Sequence, residues 1–452
     1  MQSRFSGYVS WIMNRLRKKN WLILFACALA ALSIPLIDKS LPLVRDIECH
    51  RSFFPKKLFQ KRLKQPPADW MLEQLKEDLA RFTPKKICLN SLDKTFESIY
   101  QRMGFLPEIT RFRILDNKLY KFVPEGAPFS YRDTLTEKGL KTLLLYAKVP
   151  DCDFILCGMD GLPEYFVPAD FYLTPNPEDQ APILAQAKRQ SITSDCVVLI
   201  PDQFCLSKFW YQDALDVLET NPLIPWEQKI EKAVWRGSLT DTGEPTDDRF
   251  VAHYATTPRF LLCQMAANHP ESLDAGFIHL DNPDTLTAIE HLGLKKGPLS
   301  KKDHLAYKYL PVLDGRMCTY PGYQWRLLSS SVCLKQESDE VQWFYRALKP
   351  YVHYIPIQND LSDLLEKIKW AREHDLKAQN ISKQAQQFAS QHLKFEDVYF
   401  YLYLALSHYA KLQNIDFQQL KQKTKQNPQW KCIQYRKRLI LQKSLNKIGR
   451  SP

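Results

Sequence analysis

From Ala233 to His392 the chain alternates short apolar β-type runs with helical stretches, and few folds accommodate that pattern. Ala233–Arg236, Ala275–Leu280, Tyr309–Leu313, Ser331–Leu334 and Val352–Ile357 read as strands; Pro258–Asn268, Leu361–Ala371 and Ser382–His392 read as helices. Apolar strands separated by helices need crossover connections, so they predict βαβ units and a parallel sheet. The earlier half carries weaker signs of the same organisation. Trp70–Phe82 is helical in pattern, Val149-Pro150 turns into a buried run ending at Cys157, and Val197–Ile200 is a second β-type run. The Pro-containing stretch Asn221–Trp226 divides the two halves. The expectation is an α/β chain of two Rossmann-like domains, 70–225 and 226–410, with a cleft between them. Ligands of open α/β sheets bind outside the carboxyl ends of strands, so residues there matter most.

The ends of the chain have a different character. Of the net charge of +12, Arg4, Arg15, Arg17, Lys18 and Lys19 lie in the first twenty residues, and eleven Lys or Arg lie in 411–452 against the single acid Asp416. The body between them is slightly acidic, which argues against a nucleic-acid partner, whose positive charge should sit on the folded domain. Trp21–Ile37 is an uncharged run of seventeen residues behind five basic ones. It reads as a transmembrane or signal-anchor helix, with 1–20 a cytoplasmic basic tail, 38–69 a stalk and 411–452 a second basic tail. A cleaved signal, or an interfacial helix keeping the body peripheral on the cytoplasmic face, are the alternatives. Eleven scattered cysteines without C-x-x-C spacing suggest neither a zinc site nor a disulfide scaffold.

Three segments carry candidate chemistry. Asp160 lies in the turn Gly158–Pro163 just past a strand, where a carboxylate can serve as general base; the other reading is a turn aspartate bonding its own backbone. Trp235-Arg236-Gly237-Ser238 ends a strand, and Arg259 stands ahead of an apolar helix. Gly237 permits close backbone approach, Ser238 and backbone N–H groups suit phosphate oxygens, and Arg236 and Arg259 suit a diphosphate. A turn with a surface ion pair is the plainer reading. Arg326 is a further phosphate-ligand candidate. Asp151 and Asp153 form a D-x-D pair, but they precede their strand and are poorly placed for a metal–diphosphate.

These segments together resemble the CAP10 family of glycosyltransferases (family 90) over about 150–400. The resemblance rests on Val149-Pro150-Asp151 through Asp160, Leu199-Ile200-Pro201-Asp202, Ile224–Ile230 with Lys232–Ser238, Pro270–Ala275, Asp303-His304 with Tyr307–Leu310, and Leu348–Pro356 followed by Asp360-Leu361. It implies a GT-B-type fold and inverting transfer from a UDP-sugar, with no metal and no cofactor. It implies Asp160 as base and Ser238 and Arg259 as donor ligands. The acceptor would be a glycan, lipopolysaccharide or protein. Where members carry a Ser-Phe-Arg near 315–326, this chain has Cys318–Arg326, with Arg326 the compensating arginine. An inactive relative that binds glycan or scaffolds an envelope complex is the alternative.

Overall fold

The computed structural model describes residues 54–103, 109–124, 131–162, 169–239, 257–279, 283–315, 317–320 and 322–433. The tail 1–20 and the anchor reading of 21–37 lie outside the described residues. Among the described residues no helix is long and apolar enough to cross a membrane. The described residues from Pro55 on form one compact unit.

The first sheet contains β1 (Ile109–Leu115), β2 (Lys118–Phe122), β3 (Cys152–Cys157), β4 (Ile183–Ala185) and β5 (Val197–Leu199). The second contains β6 (Ile230–Ser238), β7 (Leu273–His279), β8 (Tyr307–Val312), β9 (Val332–Gln336) and β10 (Ile355–Ile357). Its order is β10-β9-β8-β6-β7 and every pairing is parallel. Read from the far edge this is the doubly wound order 2-1-3-4-5, which reverses between its first and third strands. The switch point therefore lies between the carboxyl ends of β6 and β8. Its core is almost wholly apolar: Ala233, Trp235, Phe277, Tyr309, Leu334 and Ile355 are all buried.

The first sheet corrects the expectation of two matching Rossmann-like halves. β3, β4 and β5 run parallel, but β1 is antiparallel to β3 and pairs with β2 as a hairpin. The hairpin turn is Asp116-Asn117, both at positive φ (50° and 59°), as a two-residue type I′ turn requires. The outer edge is β11 (Trp430–Cys432), antiparallel to β2. Residues 413–432 are therefore not a free basic tail: Gln413-Asn414 pairs with Ile87-Cys88, Phe417–Gln426 is helical, and β11 closes the sheet. The stalk reading fails similarly from Lys56 on, because Lys56–Arg62 is a helix whose Arg62 Nε lies 2.6 Å from Asp397 Oδ1. Its guanidinium also covers the ring of Phe400 at 3.9 Å.

The halves are stitched together just past the carboxyl ends of β4 and β9. Ala187–Arg189 pairs antiparallel with Glu340–Gln342, and Arg189 reaches Glu340 at 2.6 Å. Gln324 donates to the buried Asp202. The nine described cysteines are free thiols.

Candidate active site at the strand ends

Asp160 is half-buried in the turn that leaves β3 at its carboxyl end. The turn is fixed by a residue the sequence did not single out. Gln186, itself buried, donates from one amide nitrogen to the carbonyls of Gly158 (3.0 Å) and Met159 (2.9 Å) and accepts from the Gln203 N–H. Its only sequence signal is a polar residue inside the apolar run Ile183–Ala187. Gly161 follows at φ +119°, a conformation that side chains resist. A Cβ there would lie 2.6 Å from Met317 Cε and 2.8 Å from the Ala187 carbonyl oxygen. Gly161→Ala is therefore expected to destabilise the chain by about 1–3 kcal/mol in urea unfolding, through backbone strain and this crowding.

That contact links the two halves chemically. Met317 belongs to the loop leaving β8, where its carbonyl accepts from the Gly315 N–H. Asp314, one residue earlier, accepts from Arg259 Nε through its backbone carbonyl at 2.9 Å. Arg259 Nη1 donates to the Ser238 carbonyl at 3.0 Å. One guanidinium in the first turn of the helix Pro258–Asn268 thus ties the ends of β6 and β8 across the switch point. It stands 5.7 Å from the Trp235 ring, which is itself held edge-on by Phe277. Gly237 is required here because the Trp235 indole occupies the space a Cβ would fill.

Ser238 closes β6, and its hydroxyl has no hydrogen-bond partner among the described residues. Arg236 behaves differently from the expectation. It donates to the Asp274 carboxylate at 3.0 and 3.2 Å, to the Asp274 carbonyl and to the Gly297 carbonyl. A guanidinium saturated in this way braces β6 against β7 and has little left for a diphosphate.

Arg326 is the most unusual charge in the region. It lies buried in the helix Gly322–Leu328, donates from Nη1 to the Gly322 carbonyl, and rests 4.3 Å from the Trp325 ring. Its Nε is buried without a partner, and no carboxylate pairs with it among the described residues. Burial, with some repulsion from Arg259, pulls its pKa down to about 10. Nearby, His304 Nδ1 lies 2.8 Å from the Ser300 carbonyl oxygen and its ring meets Trp325 edge-on. Burial and then the Arg326 charge depress the His304 pKa to about 4. A histidine depressed from 6.5 contributes stability that is present above pH 6.5 and is lost as pH falls towards 4. That loss is expected to reach about 3 kcal/mol in unfolding titrations, and His304→Phe should flatten the titration over this window.

Asp151 and Asp153 are both spent on cations of the chain: Asp151 on Lys421 at 2.8 Å, and the fully buried Asp153 on Arg111 and Arg113. Both lie at or before the start of β3, away from the carboxyl end where Asp160 stands.

The protein O-glucosyltransferase 2 of Danio rerio is 36% identical over 192 residues, 42% of this chain and 34% of that protein. Human protein O-glucosyltransferase 3 is 35% identical over 193 residues, with the same coverage of both chains. The chain thus spans about a third of the length of these relatives. Anabaena Alr3699/HepE, solved in complex with UDP and glucose, superposes with a TM-score of 0.31 at 14% identity, over 50% of this chain and 63% of that one, too slight a likeness to argue from. The family model for glycosyl transferase family 90 matches residues 68–451, nearly the whole described body, and the chain belongs to that family.

Proposed function

We propose that the protein is a UDP-sugar-dependent, inverting glycosyltransferase of GT-B type, moving a hexose or pentose to a hydroxyl of a glycan, lipopolysaccharide or protein acceptor. The observation that carries this reading is the convergence at the switch point: Arg259 bonded to the ends of both β6 and β8, and the Asp160 turn packed through Gly161 on the loop that leaves β8. The family membership and the protein O-glucosyltransferase relatives support the chemistry.

The roles follow from the residues. An acceptor hydroxyl attacks the anomeric carbon from the face opposite the leaving UDP, and Asp160 takes its proton as the new bond forms. Negative charge grows on the diphosphate as the glycosidic bond to it breaks. Fixed cations in a water-poor site stabilise such charge strongly, because they need no reorganisation. Arg259, which holds the Ser238, Asp314 and Leu313 carbonyls, and the buried Arg326 are the cations we assign to it, and the Ser238 hydroxyl supplies a neutral donor. The pairing of Asp151 and Asp153 with Lys421, Arg111 and Arg113 supports transfer without a metal held by that D-x-D pair. The apolar run Trp21–Ile37 supports a membrane-held body within the same proposal.

The test is UDP release by the full chain, given UDP-glucose, UDP-xylose, UDP-galactose and UDP-N-acetylglucosamine separately, with and without EDTA. Turnover with one donor in EDTA is expected. Neither turnover nor UDP binding would leave the family's inactive, scaffold-type reading.

A further inference from the structure

A cavity of about 460 Å³ opens on the first sheet, between the helix Leu89–Met103, the β1–β2 hairpin and the returning segment around Trp430. It lies towards the other end of β3 from Asp160. Asp153, whose arginine partners line it, precedes the end of that strand by four residues, about 13 Å at 3.3 Å per residue.

Its wall is a connected run of aromatic rings. Tyr100 stacks on Phe96 (centroids 6.4 Å apart), Phe96 meets Phe122 edge-on (5.8 Å), and Phe122 packs on Trp430 (5.4 Å). The Arg113 guanidinium lies 3.7 Å from the Trp430 ring and fixes it.

The floor is polar and charge-balanced. Asp153 accepts two bonds from Arg111 (2.8 and 2.9 Å) and one from Arg113 (2.8 Å), and Asp93 takes the other end of Arg111. Two cations thus face two carboxylates. The floor still has hydrogen-bonding capacity. Arg113, 6% exposed, has no partner for Nη2 among the described residues, and Asp93 has none for Oδ2. Glu97, Lys423, Asn427 and Gln429 add polar groups at the rim, the first two of opposite charge.

This composition discriminates between ligands. A free anion or cation would meet a lining in which Arg111, Arg113 and Lys423 are offset by Asp93, Glu97 and the buried Asp153, so neither sign of charge is favoured. A purely apolar group would strip water from the Arg113 and Asp93 edges without replacing their bonds, at a cost. A neutral ring with a hydrocarbon face and a fringe of hydroxyls satisfies both surfaces. The cavity is of the size of small-molecule sites, about 300–1,000 Å³.

We propose that this cavity is a second saccharide-binding site, in which a neutral sugar ring lies against Tyr100, Phe96 and Trp430 and bonds to Arg113 Nη2 and Asp93 Oδ2. It would hold a sugar unit of a glycan away from the point of transfer. The site does not depend on the donor chemistry proposed above.

The experiment is saturation-transfer NMR and calorimetry on the full chain with methyl β-glucoside, β-galactoside, β-xyloside and α-mannoside, each with UDP titrated in parallel. At least one glycoside should bind saturably without competition from UDP. Trp430→Ala should weaken it by about tenfold or more, and so should Tyr100→Ala, an exposed position that leaves the fold intact. Asp93→Asn should weaken it too, with UDP affinity unchanged in all three. No binding by any glycoside overturns the site. So does binding that is indifferent to Tyr100→Ala and displaced by UDP, which would put the sugar at the transfer site. Saccharide binding lost in Tyr100→Ala with no UDP binding in the parent would overturn the donor reading alone.

Discussion

Replacing Asp160 with Asn is expected to lower turnover by about 10²–10⁴ while leaving UDP affinity within about twofold of the parent. The size follows from the role: an amide has the shape of the carboxylate but cannot take the acceptor proton. The selectivity follows from how the turn is built. The Gln186 amide holds the carbonyls of residues 158 and 159, and Gly161 sets the packing on Met317, so these supports do not rely on the Asp160 carboxylate. Initial rates of UDP release, beside calorimetry for UDP, separate the two effects. Full transfer by the variant would place the base elsewhere. Loss of transfer and UDP binding together, with an unchanged melting curve, would make Asp160 a donor ligand instead.

The second sheet was readable because burial on both faces leaves its strands apolar along their length. Predicted strands such as Ala233–Arg236 and Tyr309–Leu313 fall within or overlap β6 and β8, and the helix Pro258–Asn268 has the predicted limits. The first sheet was harder to read for two physical reasons. β1 carries Arg111 and Arg113 into a buried ion cluster with Asp153, so its polar residues mimic an exposed segment while being 5% and 6% exposed. Its hairpin did leave a signal in Asp116-Asn117, a pair that tolerates positive φ between two β-prone runs. The return of residues 413–432 could not be seen, because pairing with distant strands leaves little periodicity in a lysine-rich stretch. At the site, motif position put Asp160 and Ser238 at strand ends and Arg259 at the start of an apolar helix. It could not distinguish Arg259, which spans the switch point, from Arg236, whose guanidinium turns back onto Asp274. Both are arginines beside the same motif, and only the partner across the sheet separates them. Gln186 and Met317, which position the turn, gave almost no signal, since their roles depend on the fold being closed.

Arg326→Met is expected to make the chain more stable and a much poorer binder of UDP. Keeping the guanidinium charged where it lies costs about 3 kcal/mol, taken from its fall from 12.5 to about 10. The bond to the Gly322 carbonyl and the contact with Trp325 return about 2 kcal/mol of this, and Met keeps most of the side-chain volume. A net gain of about 1 kcal/mol in unfolding free energy should therefore appear in urea titrations of the ligand-free protein. Binding should move the other way. A buried cation opposite a phosphate contributes about 2–5 kcal/mol when truncated, so UDP affinity should fall by about 10²-fold or more. The opposing signs matter, because an arginine retained only for packing would show no loss of UDP affinity. Destabilisation with unchanged UDP binding would assign Arg326 to the fold, leaving Arg259 and Ser238 to carry the diphosphate. Stabilisation with lost binding would instead show a charge that the fold tolerates at a cost because the reaction uses it.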